Sequence, residues 1–210
     1  MQSLLDISGL GFERDGRQLV SGLSFAVKPG EVLRIEGPNG AGKTSLLRVL
    51  AGLYSGYQGD IRFNDELLTS RCRPLLQQQS LFLGHSPAIK MTLTARENLE
   101  WLAALQCRQV SAGILEAALA QVGLTGYEDV PCRQMSAGQQ RRVALARLFL
   151  APLSLWMLDE PFTALDKTAV LELEGWINDF AAQGGAVVLT THHDLTTVTP
   201  LQSIVLEGSR

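Results

Sequence analysis

The sequence predicts an α/β fold. A parallel β-sheet carries an antiparallel β layer on its N-terminal side and takes a small helical subdomain as an insertion. Three features lead there. The first sixty residues alternate apolar and polar side chains as strands do, a strand near residue 36 runs through a glycine-rich loop directly into a helix, and strands and helices alternate again from residue 153 onward. All of it is expected to form one domain spanning residues 1–210, with residues 1–86 and about 136–210 as the core and about 87–135 as the helical subdomain.

The elements follow in order. "LLDISGLGF" reads as a strand, "LSFAV" as a second in which Leu23, Phe25 and Val27 alternate before a Pro29-Gly30 turn, and "EVLRIEG" as a third. "KTSLLRVLAGL" is a helix with Gly52 near its end, and "GDIRF" returns to strand. In "TARENLEWLAAL", Thr94 and Glu97 have the spacing of a capping box, and Ser111 opens a second helix that stops at Gly123. A basic, alanine-rich helix follows Ser136. The remainder reads as a buried strand "LSLWML", a helix from about 166 to 182, a strand "AVVLTT" and a last strand "QSIVL".

With 46% apolar residues in 210, the chain can fill a proper core. Its 18 Lys and Arg against 21 Asp and Glu argue against nonspecific binding along nucleic acid, which needs a strongly basic surface. The longest apolar run, "LFLAPLSLWML", is bounded by Arg147 and Asp159 and interrupted by Pro152, so no membrane-spanning helix is expected from it. "MQSLLDISGLGFERD" has no basic start and meets Asp6 early, which predicts no secretory signal and a cytosolic location. Cys72, Cys107 and Cys132 lack CxxC spacing and read as reduced thiols.

Chemistry first shows at "GPNGAGKT", residues 37–44, which fits the phosphate-loop pattern G-x-x-x-x-G-K-[ST] between a predicted strand and a predicted helix. The backbone of Gly37, Pro38, Asn39, Gly40, Ala41, Gly42 and Lys43, continued by Thr44 and Ser45, is expected to face phosphates. Lys43 would bridge the β- and γ-phosphates of ATP, and the Thr44 hydroxyl would ligate Mg²⁺. The fold is therefore expected to be a P-loop NTPase core. "LSLWMLDEP" ends an apolar strand in two carboxylates, of which Asp159 suits the metal and Glu160 a general base for the attacking water. "QMSAGQQRRVALARLFL" then offers a Ser-Ala-Gly turn at a helix start, an anion site that is incomplete alone. Arg141, Arg142 and Arg147 of that helix read as a solvated or salt-bridged face.

Taken together, "GPNGAGKT", "MSAGQQRR", "LDEPFTALD" and "TTH", in that order, resemble the ATP-binding cassette (ABC) family across nearly the whole chain. The resemblance implies an ATPase in which two cassettes pack head to tail, so that Ser136, Gly138 and Gln139 of "MSAGQ" cover the ATP held by the partner copy. It places Asp166 in a dimer-interface loop and His192 as a switch histidine near the γ-phosphate, with His193 as the competing choice. Phe12 falls where such proteins stack an aromatic ring on adenine. His85 falls where they commonly have a metal-sensing glutamine, so it is a candidate metal contact.

"LGHSPAIKMTLTARENL" with "SAGQQRRVALARL" is most similar to the cassettes of cytochrome c maturation, or haem export, systems. That similarity implies integral membrane partners, the system's B and C subunits, with ATP use driving release of a haem-loaded chaperone. It also implies a peripheral location on the cytoplasmic face of the inner membrane. The segment from His85 to Trp101 would receive a helix of the membrane subunit. A soluble cassette acting as a nucleotide-gated assembly switch, or a subunit of another exporter, is the alternative.

Overall fold

Asp15 and Gly16 sit at φ 52° and 74°, the left-handed pair that matches the twist of a two-residue hairpin. Across that turn β1 (Leu5–Arg14) pairs antiparallel with β2 (Arg17–Val27). In the computed structural model, which describes residues 3–106 and 108–207, β4 (Tyr57–Phe63) and β5 (Glu66–Leu67) complete this layer in the order β2-β1-β4-β5. Cys107 lies outside the described residues.

The second sheet is wholly parallel. It consists of β3 (Val32–Glu36), β6 (Ser80–Leu83), β7 (Leu155–Asp159), β8 (Ala186–Thr190) and β9 (Leu201–Val205), in the order β6-β7-β8-β3-β9. Every residue of β7 and β8 is buried. Such strands are covered on both faces, which is why their sequences read as continuous apolar runs rather than alternations.

Period-two geometry divides these strands between two cores. Leu155 and Met157 of β7, with Ala186 and Val188 of β8, face Leu5, Ile7 and the helix α1 (Lys43–Leu50) through Leu46, Leu47 and Leu50. Trp156, Leu158, Val187 and Leu189 face the other way, onto Leu173 and Ile177 of α6 (Lys167–Ala182). Trp156 stacks on Phe180 with ring centroids 3.9 Å apart. Each fully buried leucine in such a core contributes about 1.5–3 kcal/mol.

The second core continues without a break into the helical region, where α3 (Ala95–Leu105) and α4 (Ala112–Gln121) contribute Leu99, Leu115 and Leu119. The expected capping box at Thr94 and Glu97 forms, both of its bonds being present. Asn98 is fully buried, and its amide nitrogen donates to the carbonyls of Lys90, Leu93 and Thr94, which holds the entry to α3 rigid. Ser111 caps α4 by position but makes no side-chain cap bond. α5 (Ala137–Leu145) follows Ser136 and continues as a 3-10 turn over Ala146–Phe149.

Residues 64–86 carry elements that the sequence reading left unassigned: β5, α2 (Arg73–Gln79) and the edge strand β6. The reason is local. Pro74 starts α2, three glutamines end it, and β6 has four residues, too few for a period to emerge. Among the described residues no helix is long and apolar enough to cross a membrane.

Candidate active site

At the end of β3 the chain must turn sharply to start α1, and glycines permit it. Gly37 has φ 141°, and a Cβ there would stand 2.6 Å from the carbonyl oxygen of Leu206. Gly42, at φ 97°, is the N-cap of α1 and brings no side-chain cap, and the first turn contains no acid. The N–H groups at that terminus are thus left to an anionic ligand. Lys43 Nζ donates to the carbonyls of Gly37 (2.7 Å) and Pro38 (3.2 Å), which folds its ammonium over the loop. The side chain of Ala41 is buried, and its N–H closes the turn onto Pro38. Asn39, Gly40, Gly42, Lys43, Thr44 and Ser45 line one wall of a cleft of about 620 Å³. Gly37 lines a smaller recess beside it with Lys43 and His192.

The facing wall comes from the end of β7. Asp159 is 1% exposed, and its Oδ1 accepts from the hydroxyls of Thr44 at 3.0 Å and Thr190 at 2.8 Å. Its Oδ2 is buried without a protein partner. A buried carboxylate oxygen is costly to leave unsatisfied. With the Thr44 hydroxyl beside it, the donor set is all oxygen, and it fits a hard divalent cation that completes its shell with water and phosphate. Among the described residues no group of three or more His, Cys, Asp or Glu makes a self-sufficient metal cage.

Glu160 adopts φ 49°, a left-handed conformation that costs a non-glycine residue about 1–3 kcal/mol unless its surroundings impose it. Here they do. Its N–H donates to both the carbonyl and the hydroxyl oxygen of Thr190, at 3.1 and 3.0 Å, and its own carbonyl accepts from Arg141 at 2.8 Å. The carboxylate turns toward His192, accepting from the backbone N–H at 3.3 Å and lying 3.6 Å from Nε2. Glu160, His192 and the exposed His85 all line the cleft with Asp159. His193, the competing choice, faces away: its Nε2 is 3.3 Å from Oε1 of the buried Glu174 on α6.

Ser136, Gly138 and Gln139 do not line this cleft. Ser136 caps α5 by accepting from the Gln139 N–H, while the Gln139 side chain accepts from the Ser136 N–H. The turn lies against the loop after β7, where a Cβ on Gly138 would meet the Ala164 carbonyl at 3.3 Å. Asp166 ends that loop as the N-cap of α6, accepting from the Ala169 N–H.

Two expectations are corrected. Phe12 is not the open ring that the resemblance implies: it is 3% exposed, packs with Leu10 in the core between the two sheets, and borders only a small recess of about 260 Å³ with Ser45, Arg48 and Tyr54. The cleft is bordered instead by the hairpin end of that layer, Arg14, Asp15, Arg17 and Leu19. Nor do the three arginines of α5 and its extension form a solvated or salt-bridged face. Arg142 does pair with Glu172 at 2.9 Å, but Arg147 is half-buried and Arg141 is 2% exposed. Burial lowers the pKa of the Arg141 guanidinium, while Asp159 and Glu160 pull it back up. A signal for this was available, since Arg141 stands three and four residues before Ala144 and Leu145, on the apolar stripe of the helix.

Residues 20–163 match the family described as ABC transporter. Cytochrome c biogenesis ATP-binding export protein CcmA of Yersinia pestis is 53% identical over 195 residues, covering 93% of this chain and 88% of its own length. The protein of the same name from Pseudomonas putida is 53% identical over 191 residues, covering 91% and 90%. Among solved structures, a Pyrococcus furiosus chain described as an ABC transporter ATP-binding protein superposes with a TM-score of 0.81 over 96% of each chain; at 22% identity it speaks for the fold alone. A second, titled as the ATP-binding subunit of an ABC transporter, gives a TM-score of 0.80 at 26% identity over 90% of this chain and 80% of its own. The family match over most of the length, joined to these identities, makes the chain a member of the ABC transporter family, one of its ATP-hydrolysing, ATP-binding subunits.

Proposed function

We propose that this chain is the ATPase of a cytochrome c biogenesis export complex and docks on integral membrane subunits, the B and C subunits of that system, at the cytoplasmic face of the inner membrane. Identities of 53% to proteins named for that process support the reading. The observation that carries the chemistry is the Glu160–His192 pair in one cleft with Asp159 and the phosphate loop.

In this reading the loop from Gly37 to Ser45 holds the ATP phosphates with backbone N–H groups, and Lys43 leaves its loop carbonyls to meet the β- and γ-phosphates. Asp159 and Thr44 hold Mg²⁺, which supplies charge neutralisation on the phosphates. His85 lines the same cleft; its imidazole nitrogen is a poor match to Mg²⁺, so it would reach the ion through water or not at all. Glu160 takes the proton of the attacking water, and His192 holds the Glu160 carboxylate in place and faces the γ-phosphate. Ser136, Gly138 and Gln139 serve the cleft of a second copy in a head-to-tail dimer, which agrees with their position outside their own.

The membrane subunit enters an adjoining groove of about 940 Å³ between the core and the arm at about 87–135, which meets the cleft at Thr44, His85 and Asp159. Phe82, Trp101 and Leu105 line it, with Arg48 and the half-buried Arg147, whose pKa burial lowers to about 10.

Affinity purification of the tagged chain from native membranes, with the partners identified by mass, tests the assembly. Recovery of the biogenesis membrane subunits is expected, and recovery of a different transporter's subunits would overturn it. Mixing Lys43→Ala with Ser136→Arg chains tests the dimer, because a heterodimer keeps one intact composite site. Turnover above both parents is expected; none, with heterodimers demonstrated, rejects the head-to-tail arrangement.

A further inference from the structure

The buried Arg141 guanidinium reaches from α5 to two separate segments beside the cleft, residues 84–85 and 160–161. From α5, Nε donates to the Pro161 carbonyl at 3.1 Å and Nη2 to the Glu160 carbonyl at 2.8 Å. Nη1 donates to the carbonyls of Gly84 and His85, each at 3.3 Å. The planar fork thus ties the helix that begins at Ser136 to the peptide of Glu160 and to the loop after β6 that presents His85. A lysine ammonium has no fixed fork with which to serve all of them.

What the contact holds is a strained backbone. Glu160 stays at φ 49° because Thr190 takes its N–H on one side and Arg141 takes its carbonyl on the other. Without the Arg141 donor, that carbonyl loses its short charge-assisted bond and keeps only the longer one from the Thr163 N–H at 3.3 Å, which weakens the hold on the strained peptide and lets it rotate toward an unstrained conformation. The rotation moves the carboxylate away from His192. None of the bonds from Arg141 reaches the phosphate loop, so nucleotide binding is not the quantity it controls.

We infer that Arg141 is a positioning residue for hydrolysis, which holds the Glu160 peptide in its left-handed conformation and ties it to the His85 loop and to the Ser136 helix. The inference rests on Glu160 being the general base. Movement of α5 against the core, as when Ser136 meets nucleotide in a second copy, is then transmitted through one guanidinium to the base and to the loop bearing His85.

The test uses the full chain in its membrane assembly, with Arg141→Gln and Arg141→Lys measured for thermal midpoint, equilibrium ATP affinity, KM and kcat. A misplacement on the order of 1 Å costs roughly 100-fold in rate, so kcat is expected to fall by about 10- to 100-fold while ATP affinity stays within about 2-fold. A second measurement combines Arg141→Gln with Glu160→Gln. If Arg141 acts through Glu160, its effect on kcat disappears from the residual turnover of the Glu160→Gln protein. Wild-type kcat in a folded variant overturns the inference. So does a fall in affinity and kcat together, or an undiminished effect in the Glu160→Gln background. If both variants fail to fold, Arg141 serves stability alone and the inference is lost. Should Glu160→Gln by itself keep full turnover, the base assignment fails and the inference falls with it; a dead Glu160→Gln beside a normal Arg141→Gln overturns the inference only.

Discussion

Between Gly37 and Ser45 the protein faces the cleft with backbone that is contiguous in sequence, whereas Asp159 and Glu160 on the opposite wall are held by the side chains of Thr44, Arg141 and Thr190 and by the backbone N–H of His192. The first wall is specified by glycines that permit particular φ angles and by a helix that starts uncapped. The second is specified by hydrogen bonds between residues more than 100 positions apart in the case of Thr44 and Asp159. Damage should therefore take different forms. A change in the loop should affect folding of the turn and nucleotide affinity together, while a change on the carboxylate side should affect turnover first.

The largest effect expected is that of Glu160→Gln. Losing a general base costs about 10²- to 10⁴-fold in rate, and nothing in the phosphate loop depends on the Glu160 side chain, so ATP affinity should stay within a few-fold of the parent. Rapid-quench hydrolysis beside equilibrium nucleotide binding checks it. Equal losses in both would show that the two walls are one energetic unit.

Gly37→Ala makes the converse case. A Cβ 2.6 Å from the Leu206 carbonyl requires backbone movement in a turn already at φ 141°. Strain of this kind costs about 1–3 kcal/mol before any steric term is added. The thermal midpoint and the ATP affinity should both fall, and an unchanged midpoint would mean that the loop relaxes at no cost.

The two walls were not equally legible in the sequence. The phosphate loop could be read residue by residue because its chemistry lies in backbone conformations that one run of glycines announces. Asp159 and Glu160 could be read because they end an apolar strand. Their supports could not: Thr190 is an ordinary strand threonine until the parallel register sets it beside Asp159, and Arg141 reads as surface unless its place on the apolar stripe of α5 is weighed. Phe12 failed for a related reason. A strand aromatic is buried or exposed according to which face of the pleat it occupies, and bulges in the β1–β2 pairing between Leu10 and Glu13 blur that alternation. The parallel order of the sheet likewise left one edge strand unread, because four residues between a glutamine run and a glycine carry no period.

A smaller effect should follow from Thr190→Val, because one hydroxyl serves both residues, donating to Asp159 Oδ1 and accepting from the Glu160 backbone N–H. Loss of a buried partner costs about 1–3 kcal/mol, so kcat is expected to fall by roughly 10-fold, 1.4 kcal/mol per decade. Thr190→Ser restores the hydroxyl and should restore most of the rate. Failure of the serine to rescue would mean that the methyl group, packed in the strand, matters more than the two bonds.

The smallest effect is expected at His193, and it sharpens the contrast because its neighbour should behave oppositely. His192 lines the cleft and contacts Glu160 through both its N–H and its ring, so His192→Ala should lower kcat by about 100-fold, within the range for groups that act on proton transfer. His193 lies beside it in sequence but points to the other face of the sheet, with Nε2 3.3 Å from Oε1 of the fully buried Glu174, an oxygen that accepts no hydrogen bond among the described residues, while Oε2 accepts from the N–H and hydroxyl of Thr197. Those Thr197 bonds remain when the imidazole is removed, and the Phe162 ring, 5.2 Å from that imidazole, can settle into part of the space. His193→Ala takes away the polar group beside Glu174 Oε1, so it should cost about 1–3 kcal/mol in stability, the scale for a buried polar group that loses its surroundings, and change kcat by no more than about 3-fold through a slight loosening of the loop that carries His192. Steady-state hydrolysis and thermal midpoints for the two alanine variants check it. A His193→Ala protein that is as slow as His192→Ala would reverse the assignment and require the loop after β8 to turn over during the reaction, exchanging the two rings.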